Sequence, residues 1–386
     1  MAVESAEMHS SCGRRRNHPA YPSGFALKLT PTYLSGQPPC TMKTSTPSQP
    51  RRGIANVGNT CYLNSAFQAL RHAHPFADYF AGPWQAHHHP DRKGHELAEE
   101  TAAMVAALKE ADAGPVIPSK FVRAFLKLAH EINDDISFGT QADAAEAVQI
   151  LLDGLHTQLA REVRMEITGG ARTKEQEELV KSLESWAQFF RKEYSPLVDA
   201  FYGQTQTRVR CVACNAASAR YEPWNVLKLP IPGAEKAGAP APTLQECLAA
   251  CFAAETVEDY SCEACKAKGA KIEHAASRLP THLILSLKRF TNTGAKVRAR
   301  IPYDENNIDL SEWLAWPAMQ SAAQARYRVF ATVEHLGSSR GGHYIMRARG
   351  ADDEWLIYDD GSVRPSANGG AAGPDTYMLF LERRTA

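Results

Sequence analysis

The sequence predicts an α+β protein built in three successive parts. Three observations carry that reading. Apolar residues recur at helical spacing from Gly53 to about Leu159, two Cys-x-x-Cys pairs follow, and from Leu279 the alternation takes a period of two. At 386 residues the chain is long enough to bury a substantial core, as one large domain or two ordinary ones. Lys+Arg and Asp+Glu number 43 each, so no overall field draws the chain to nucleic acid or to an anionic membrane, and neither partner is expected. No apolar run near the N-terminus is long enough for a signal segment or a membrane span. Nine cysteines, an odd number with four of them in two close pairs, fit a reducing intracellular compartment, cytoplasm or nucleus, better than a disulfide framework.

Residues 1–50 are rich in Pro, Ser, Thr and Gly, carry the run Arg14-Arg15-Arg16, and read as a mostly disordered arm. Three basic residues fall short of the run a localisation signal needs. Beyond the arm, Gly53-Ile-Ala-Asn-Val-Gly-Asn-Thr-Cys61 is a Gly/Asn-rich turn leading into a helix whose Leu63, Phe67 and Leu70 share one face. A cysteine at the start of a helix meets unpaired N–H groups and the positive end of the dipole, which are expected to lower its pKa and make it a nucleophile. Asn56, on the turn, is placed to aim its amide at the charge that develops on a carbonyl under attack.

Helical spacing continues through Arg71–Ala81 and His95–Ala111. Between them, His87-His88-His89-Pro90 puts adjacent histidines on a Pro-flanked segment where they share no face, so a solvated loop is expected rather than a metal site. Ala144, Val148, Leu151 and Leu152 then mark another helix, with Thr140 as its expected N-cap and Gln141 and Asp143 in its first turn. Residues 165–200 read as a charged, helical connection whose apolar face holds Leu183, Trp186, Phe189 and Phe190.

Cys211-Val-Ala-Cys214 and Cys262-Glu-Ala-Cys265, each beside strand-like sequence, have the spacing of zinc knuckles. Four thiolates close a tetrahedral sphere, so one structural zinc ion is expected and no catalytic one. Cys247 and Cys251, on a helix over Leu244–Phe252, read as small core residues.

Strands follow at Leu283–Phe290, Tyr327–Glu334, Tyr344–Arg349, Trp355–Tyr358 and Thr376–Glu382, and an antiparallel sheet is expected. A turn centred near residue 351 sets His343 directly opposite Asp359 across a hairpin, with Cβ atoms about 5 Å apart. A carboxylate beside an imidazole fixes its tautomer, and the imidazolium in turn stabilises a thiolate. Cys61, His343 and Asp359 together follow the logic of a catalytic triad with cysteine as nucleophile.

With these residues in place, the chain resembles the ubiquitin-specific protease family of cysteine deubiquitinases over residues 53–383. Gly58-Asn-Thr-Cys61-Tyr-Leu-Asn-Ser is similar to the family's cysteine box, and Gly342-His343-Tyr344 to its histidine box. Trp355-Leu-Ile-Tyr-Asp359-Asp360 resembles the segment that supplies the third triad member. Leu285-Ser-Leu-Lys-Arg-Phe290 and Tyr377-Met-Leu-Phe380 look like its palm strands, Gln141-Ala-Asp143-Ala like its Gln/Asp box, and the two knuckles like its fingertips.

The resemblance implies a papain-like fold with a helical thumb (51–200), fingers (201–278) and an antiparallel palm (279–386). It implies Cys61 as nucleophile, Asn56 as oxyanion donor, and Gln141 and Asp143 as residues that meet the substrate's tail. The expected substrate is ubiquitin on ubiquitinated proteins, cut after its C-terminal glycine by a chain acting as a monomer. Asp360, beside Asp359, is a candidate to share the orienting role, and Ala145 and Ala147, where the family carries bulkier or polar residues, imply altered packing of their helix. Rival readings are a protease for another ubiquitin-like modifier and a silent ubiquitin-binding scaffold. A zinc-ribbon nucleic-acid binder is disfavoured by the charge balance and by the lack of basic residues interleaved with aromatics near the knuckles.

Overall fold

The computed structural model describes residues 28–33 and 51–384, leaving aside 93, 111–113, 235–239, 318, 321 and 351. Its first half is helical: α1 (Cys61–His72), α2 (His74–Ala81), α3 (Glu96–Ala107), α4 (Ser119–Ile132) and α5 (Ala144–Leu159). All residues of α1 are buried. Leu63, Phe67 and Leu70 are 0% exposed, and truncating any of them to alanine is worth about 2–5 kcal/mol.

The other side of α1 is polar and equally enclosed, which is tolerable only because its groups find partners inside the protein. Gln68 Nε2 donates to the Arg52 carbonyl at 2.9 Å, Arg71 Nε donates to Gln68 Oε1 at 3.0 Å, and His72 Nε2 meets the Tyr358 hydroxyl at 3.1 Å. Ala73 adopts an extended conformation and Pro75 opens α2, so the helical run breaks between α1 and α2. Ala144, Ala145 and Ala147 of α5 are buried in the core that α1 occupies.

The histidine run is not a solvated loop. A 3-10 turn, Pro83–His87, follows α2 and folds His87 inward, where its Nδ1 lies 3.0 Å from the Tyr79 hydroxyl and burial pushes its pKa down to about 4.

Two further expectations change. Residues 28–33, assigned above to a disordered arm, form β1 (Lys28–Tyr33), which pairs antiparallel with β2 (Val163–Thr168) from Lys28↔Thr168 to Tyr33↔Val163. Period-two alternation in β2 thus prevails over helical spacing at 165–168, and Leu29 and Ile167 pack against the same small apolar cluster. Arg14–Arg16 and the rest of the arm lie outside the described residues. After β2 come α6 (Lys174–Phe190), started by a capping box between Thr173 and Gln176, and α7 (Pro196–Phe201).

The middle of the chain extends as β3 (Gly203–Cys211), β4 (Ala217–Trp224), β5 (Leu227–Leu229), α8 (Leu244–Cys251), β6 (Glu255–Ser261) and β7 (Lys268–Arg278). Four of these strands make an antiparallel sheet in the order β4-β3-β7-β6. Cys247 is fully buried in an apolar cluster and Cys251 packs at its edge.

The last part is β8 (His282–Leu287), β9 (Ile308–Asp309), β10 (Arg326–Ser338), β11 (Gly341–Arg349), β12 (Trp355–Asp359), β13 (Ser362–Pro365) and β14 (Thr376–Arg383). They form a sheet in the order β13-β12-β11-β10-β14-β8-β5, with β9 on β10; only β5 joins in parallel. One face of this sheet packs on α1, chiefly through β11 and β10, so the helix that begins at Cys61 is held between sheet and helices. No helix among the described residues is long and apolar enough to cross a membrane.

Candidate active site

The turn before α1 is built by one side chain. Asn56 Oδ1 accepts from the backbone N–H of Gly58 (3.2 Å) and of Thr60 (3.1 Å), closing an Asx-type turn. Gly58 and Asn59 take the positive φ values of 124° and 57° that this path requires, residue types suited to them. At Gly53 the chain runs against the backbone of Asp360 and Gly361, leaving no room for a Cβ, and Ile54 N–H donates to the Asp360 carbonyl at 2.9 Å. The segment before α1 is thereby stitched to the residues that follow β12, some three hundred residues on.

Cys61 is 3% exposed. Burial pushes its thiol pKa up and the charge of Asp360 adds to that, while the backbone N–H groups of Tyr344, Tyr62 and Cys61 itself pull it down. This corrects the expectation of a lowered pKa: the helix end does favour thiolate, but removal from water outweighs it. A thiolate at this position therefore calls for a base to take the proton. The Tyr344 contact also places the sulfur beside the residue that follows His343.

His343 Nε2 donates to Asp359 Oδ1 at 2.7 Å, which leaves Nδ1 as the ring nitrogen free of that carboxylate. The two residues are not directly opposite. The hairpin pairs Met346 with Tyr358 and Arg349 with Trp355, so Asp359 faces position 345 and meets His343 on the diagonal, on the same face of the sheet. Asp360, the candidate to share the orienting role, lies in the same cluster, its ligand atom within 4.8 Å of those of His343 and Asp359. At φ 47° its carboxylate turns to accept from Asn56 Nδ2 (2.9 Å) and Asn64 Nδ2 (2.8 Å), tying the turn and α1 to the palm.

Gln141 and Asp143 precede α5 rather than lying in its first turn. Asp143 is the N-cap, accepting from the N–H groups of Ala145 (2.8 Å) and Glu146 (3.0 Å), and its other oxygen accepts from the Tyr377 hydroxyl. Thr140, expected as the cap, instead closes the preceding turn through Ser137. Gln141 accepts from Gly342 N–H at 3.0 Å and donates to the Gly342 carbonyl at 2.9 Å, bracing the residue before His343. Gly342 is irreplaceable there, since a Cβ would sit 2.3 Å from the Leu336 carbonyl oxygen and 2.4 Å from His335 Nε2.

In the sheet β4-β3-β7-β6, Cys211, Cys214, Cys262 and Cys265 bring their sulfurs together within 4.8 Å. The Cys211–Cys265 and Cys214–Cys262 separations are both 3.7 Å. That is far too long for disulfides, and it matches the edge of about 3.8 Å of a sulfur tetrahedron with metal–sulfur bonds of about 2.3 Å. The knuckles repeat one geometry: Asn215 N–H returns to the Cys211 carbonyl and Lys266 N–H to the Cys262 carbonyl, with both residues at positive φ. The cluster fits one metal ion with all positions filled by protein.

A family model described as ubiquitin carboxyl-terminal hydrolase matches residues 52–381. The chain belongs to that family. Its relatives include ubiquitin carboxyl-terminal hydrolase 2 of Bos taurus, 28% identical over 94% of this chain and 63% of that protein. Ubiquitin carboxyl-terminal hydrolase 36 of Drosophila melanogaster is 31% identical over 86% of this chain and 30% of its own length. The chain thus spans less than two thirds of the curated relatives it matches. Among solved structures, the SAGA DUB module of Ubp8, Sgf11, Sus1 and Sgf73 bound to monoubiquitin shares the fold, with a TM-score of 0.64 at 20% identity over 89% of this chain and 72% of that one.

As a ubiquitin carboxyl-terminal hydrolase family member, the chain carries site features that sequence reasoning passed over. Asn64, Gln68 and His72 recur every fourth residue, a polar stripe on α1 that would ordinarily face water; here Asn64 holds Asp360, His72 meets Tyr358 of β12 and Gln68 bonds the Arg52 carbonyl. The Tyr344 N–H and the Tyr377 hydroxyl left no sequence signal, because both act through a sheet register that spacing alone does not define.

Proposed function

We propose that the protein is a thiol-dependent deubiquitinase that hydrolyses the isopeptide or peptide bond after the C-terminal glycine of ubiquitin. The observation that carries this reading is the convergence of a buried helix-start thiol on the strand of an imidazole already oriented by a carboxylate at 2.7 Å, in a chain of this family. His343 Nδ1 takes the Cys61 proton and the sulfur attacks the carbonyl. Asn56 Nδ2 gives one hydrogen to Asp360, leaving the other for the oxyanion together with a backbone N–H at the start of α1. His343 protonates the leaving amine; water, deprotonated by the same ring, then clears the thioester.

The substrate partner is ubiquitin on ubiquitinated proteins, gripped by the fingers and delivering its tail between thumb and palm past Gln141 and Asp143. Zinc held by Cys211, Cys214, Cys262 and Cys265 shapes the fingertip and takes no part in the chemistry. On this reading the chain acts as a monomer in a reducing intracellular compartment, where the four clustered cysteines stay thiolates able to hold a metal. Incubation with ubiquitin bearing a C-terminal electrophile tests the reading. A covalent adduct is expected with the native chain and none with Cys61→Ala; adduct formation by another modifier's probe but not ubiquitin's would move the substrate assignment, and no adduct with any probe would leave a binding scaffold.

A further inference from the structure

Away from both sites, three donor atoms point at one place in the thumb. His88 follows the 3-10 turn Pro83–His87 as its C-cap, His95 is the N-cap residue of α3, and Glu99 lies one turn along α3 on the same face. His88 Nε2 and His95 Nδ1 each lie 3.5 Å from Glu99 Oε1, and the three ligand atoms fall within 4.8 Å of one another. Both ring nitrogens are buried and make no hydrogen bond. A separation of 3.5 Å is long for an N–H···O bond. It is close to the edge of roughly 3.3–3.4 Å expected between ligands on one tetrahedral ion with bonds of about 2.0–2.1 Å.

The rings are also held in place. His88 has its ring edge-on to Trp84 at 5.3 Å between centroids and lies 5.9 Å from the His95 ring, and only 12% of its side chain is exposed. Glu99 is 47% exposed, so one side of the cluster opens to solvent. Two imidazoles with one carboxylate suit a divalent transition ion of the zinc class, and not calcium or magnesium, which call for oxygen donors.

We propose that His88, His95 and Glu99 bind one zinc-class divalent ion, separate from the four-cysteine cluster. Three protein ligands leave a fourth position for water on the exposed side. The ion bridges the turn that follows α2 to the first turn of α3, and so stabilises the thumb without entering the reaction. Of the three adjacent histidines only His88 takes part; its partners come from α3.

Cobalt(II), titrated into the metal-free full chain, reads the two sites apart. An ion in four thiolates gives strong sulfur-to-metal charge-transfer absorption, whereas nitrogen and oxygen ligands give only weak d–d bands. The native chain is expected to take up two equivalents, one of each spectral kind. Glu99→Gln, which keeps shape at a half-exposed position, and His88→Ala should each lose the equivalent with weak bands and keep the charge-transfer site, whose retention also reports that the variant is folded. Uptake of a single equivalent by the native chain overturns the proposal, as does a weak-band equivalent that persists in both variants.

Discussion

The four-cysteine tip of the sheet β4-β3-β7-β6 and the seam between α1 and the large sheet hold their shapes by opposite means. Along β6 no side chain is buried, and at the far ends of β3 and β7 enclosure is left mainly to Cys211, Cys262 and Ala270. In the seam, Leu63, Phe67, Ala331, Val333, Met346 and Phe380 are all 0% exposed in one continuous core. A tip with so little apolar burial needs a ligand to define it, whereas the seam is defined by packing and needs only polar groups that match. Chemistry placed in the seam inherits the rigidity of the core. Recognition proposed for the tip inherits a dependence on the metal proposed there.

The largest effect expected from that contrast separates chemistry from packing. Cys61→Ala should lower ubiquitin-probe turnover by at least about ten-thousandfold while shifting the melting temperature little, because the change removes one sulfur from a well-filled site. A stability loss as large as the activity loss would mean that the thiol serves the core. Next in size is Gly342→Ala. With no room for a Cβ, the strand carrying His343 must shift, costing about 1–3 kcal/mol and roughly a hundredfold in kcat; unchanged kinetics would show that the histidine does not need that strand where it is.

Stripping the metal proposed for the four-cysteine cluster, or Cys262→Ser, should act on the other region alone. Amide exchange should quicken in β3, β6 and β7 while α1 and β10 stay protected, and KM for a ubiquitin substrate should rise about tenfold at constant kcat. Loss of protection throughout the chain would break the comparison.

The smallest effect is graded and belongs to the packed side. Burial pushes the pKa of His87, His156 and His335 down to about 4 and that of His282 to about 3. Each is neutral when folded and takes up a proton below about 6.5 when unfolded. The unfolded chain therefore binds more protons between about pH 6.5 and 4, so stability is full above that window and declines as pH falls through it. Melting temperatures of the metal-loaded chain should drop by a few degrees from about pH 7 to 5.5, and a flat profile would contradict the assignment.

What the sequence revealed follows the same division. The knuckles were legible because ligand spacing is local, and the positions of Cys61, His343 and Asp359 in the fold follow the elements read from periodicity. Their relations were less legible. The hairpin turn closes through Gly350 N–H to the Glu354 carbonyl with Asp353 at φ 58°, which moves the register by two and turns a direct pair into a diagonal one. The bonds from Asp360 to Asn56 and Asn64 were not legible, because side-chain direction at a positive-φ residue cannot be seen in a string of letters. The Cys61 thiol was expected to be acidic because the helix end is visible in sequence, and the burial that opposes it is not. β1 escaped notice since its partner lies more than a hundred residues away.

Gln141 offers one last consequence. On β11, Gly342 pairs with Gly337 on one side, but β12 pairs no further back than Met346. The side-chain amide of Gln141 supplies the missing neighbour, with donor and acceptor set like those of a peptide unit. Deamidation to glutamate would turn the donor into an oxygen facing the Gly342 carbonyl, so slow chemical ageing of a single amide would uncouple the histidine strand while every catalytic group remained intact.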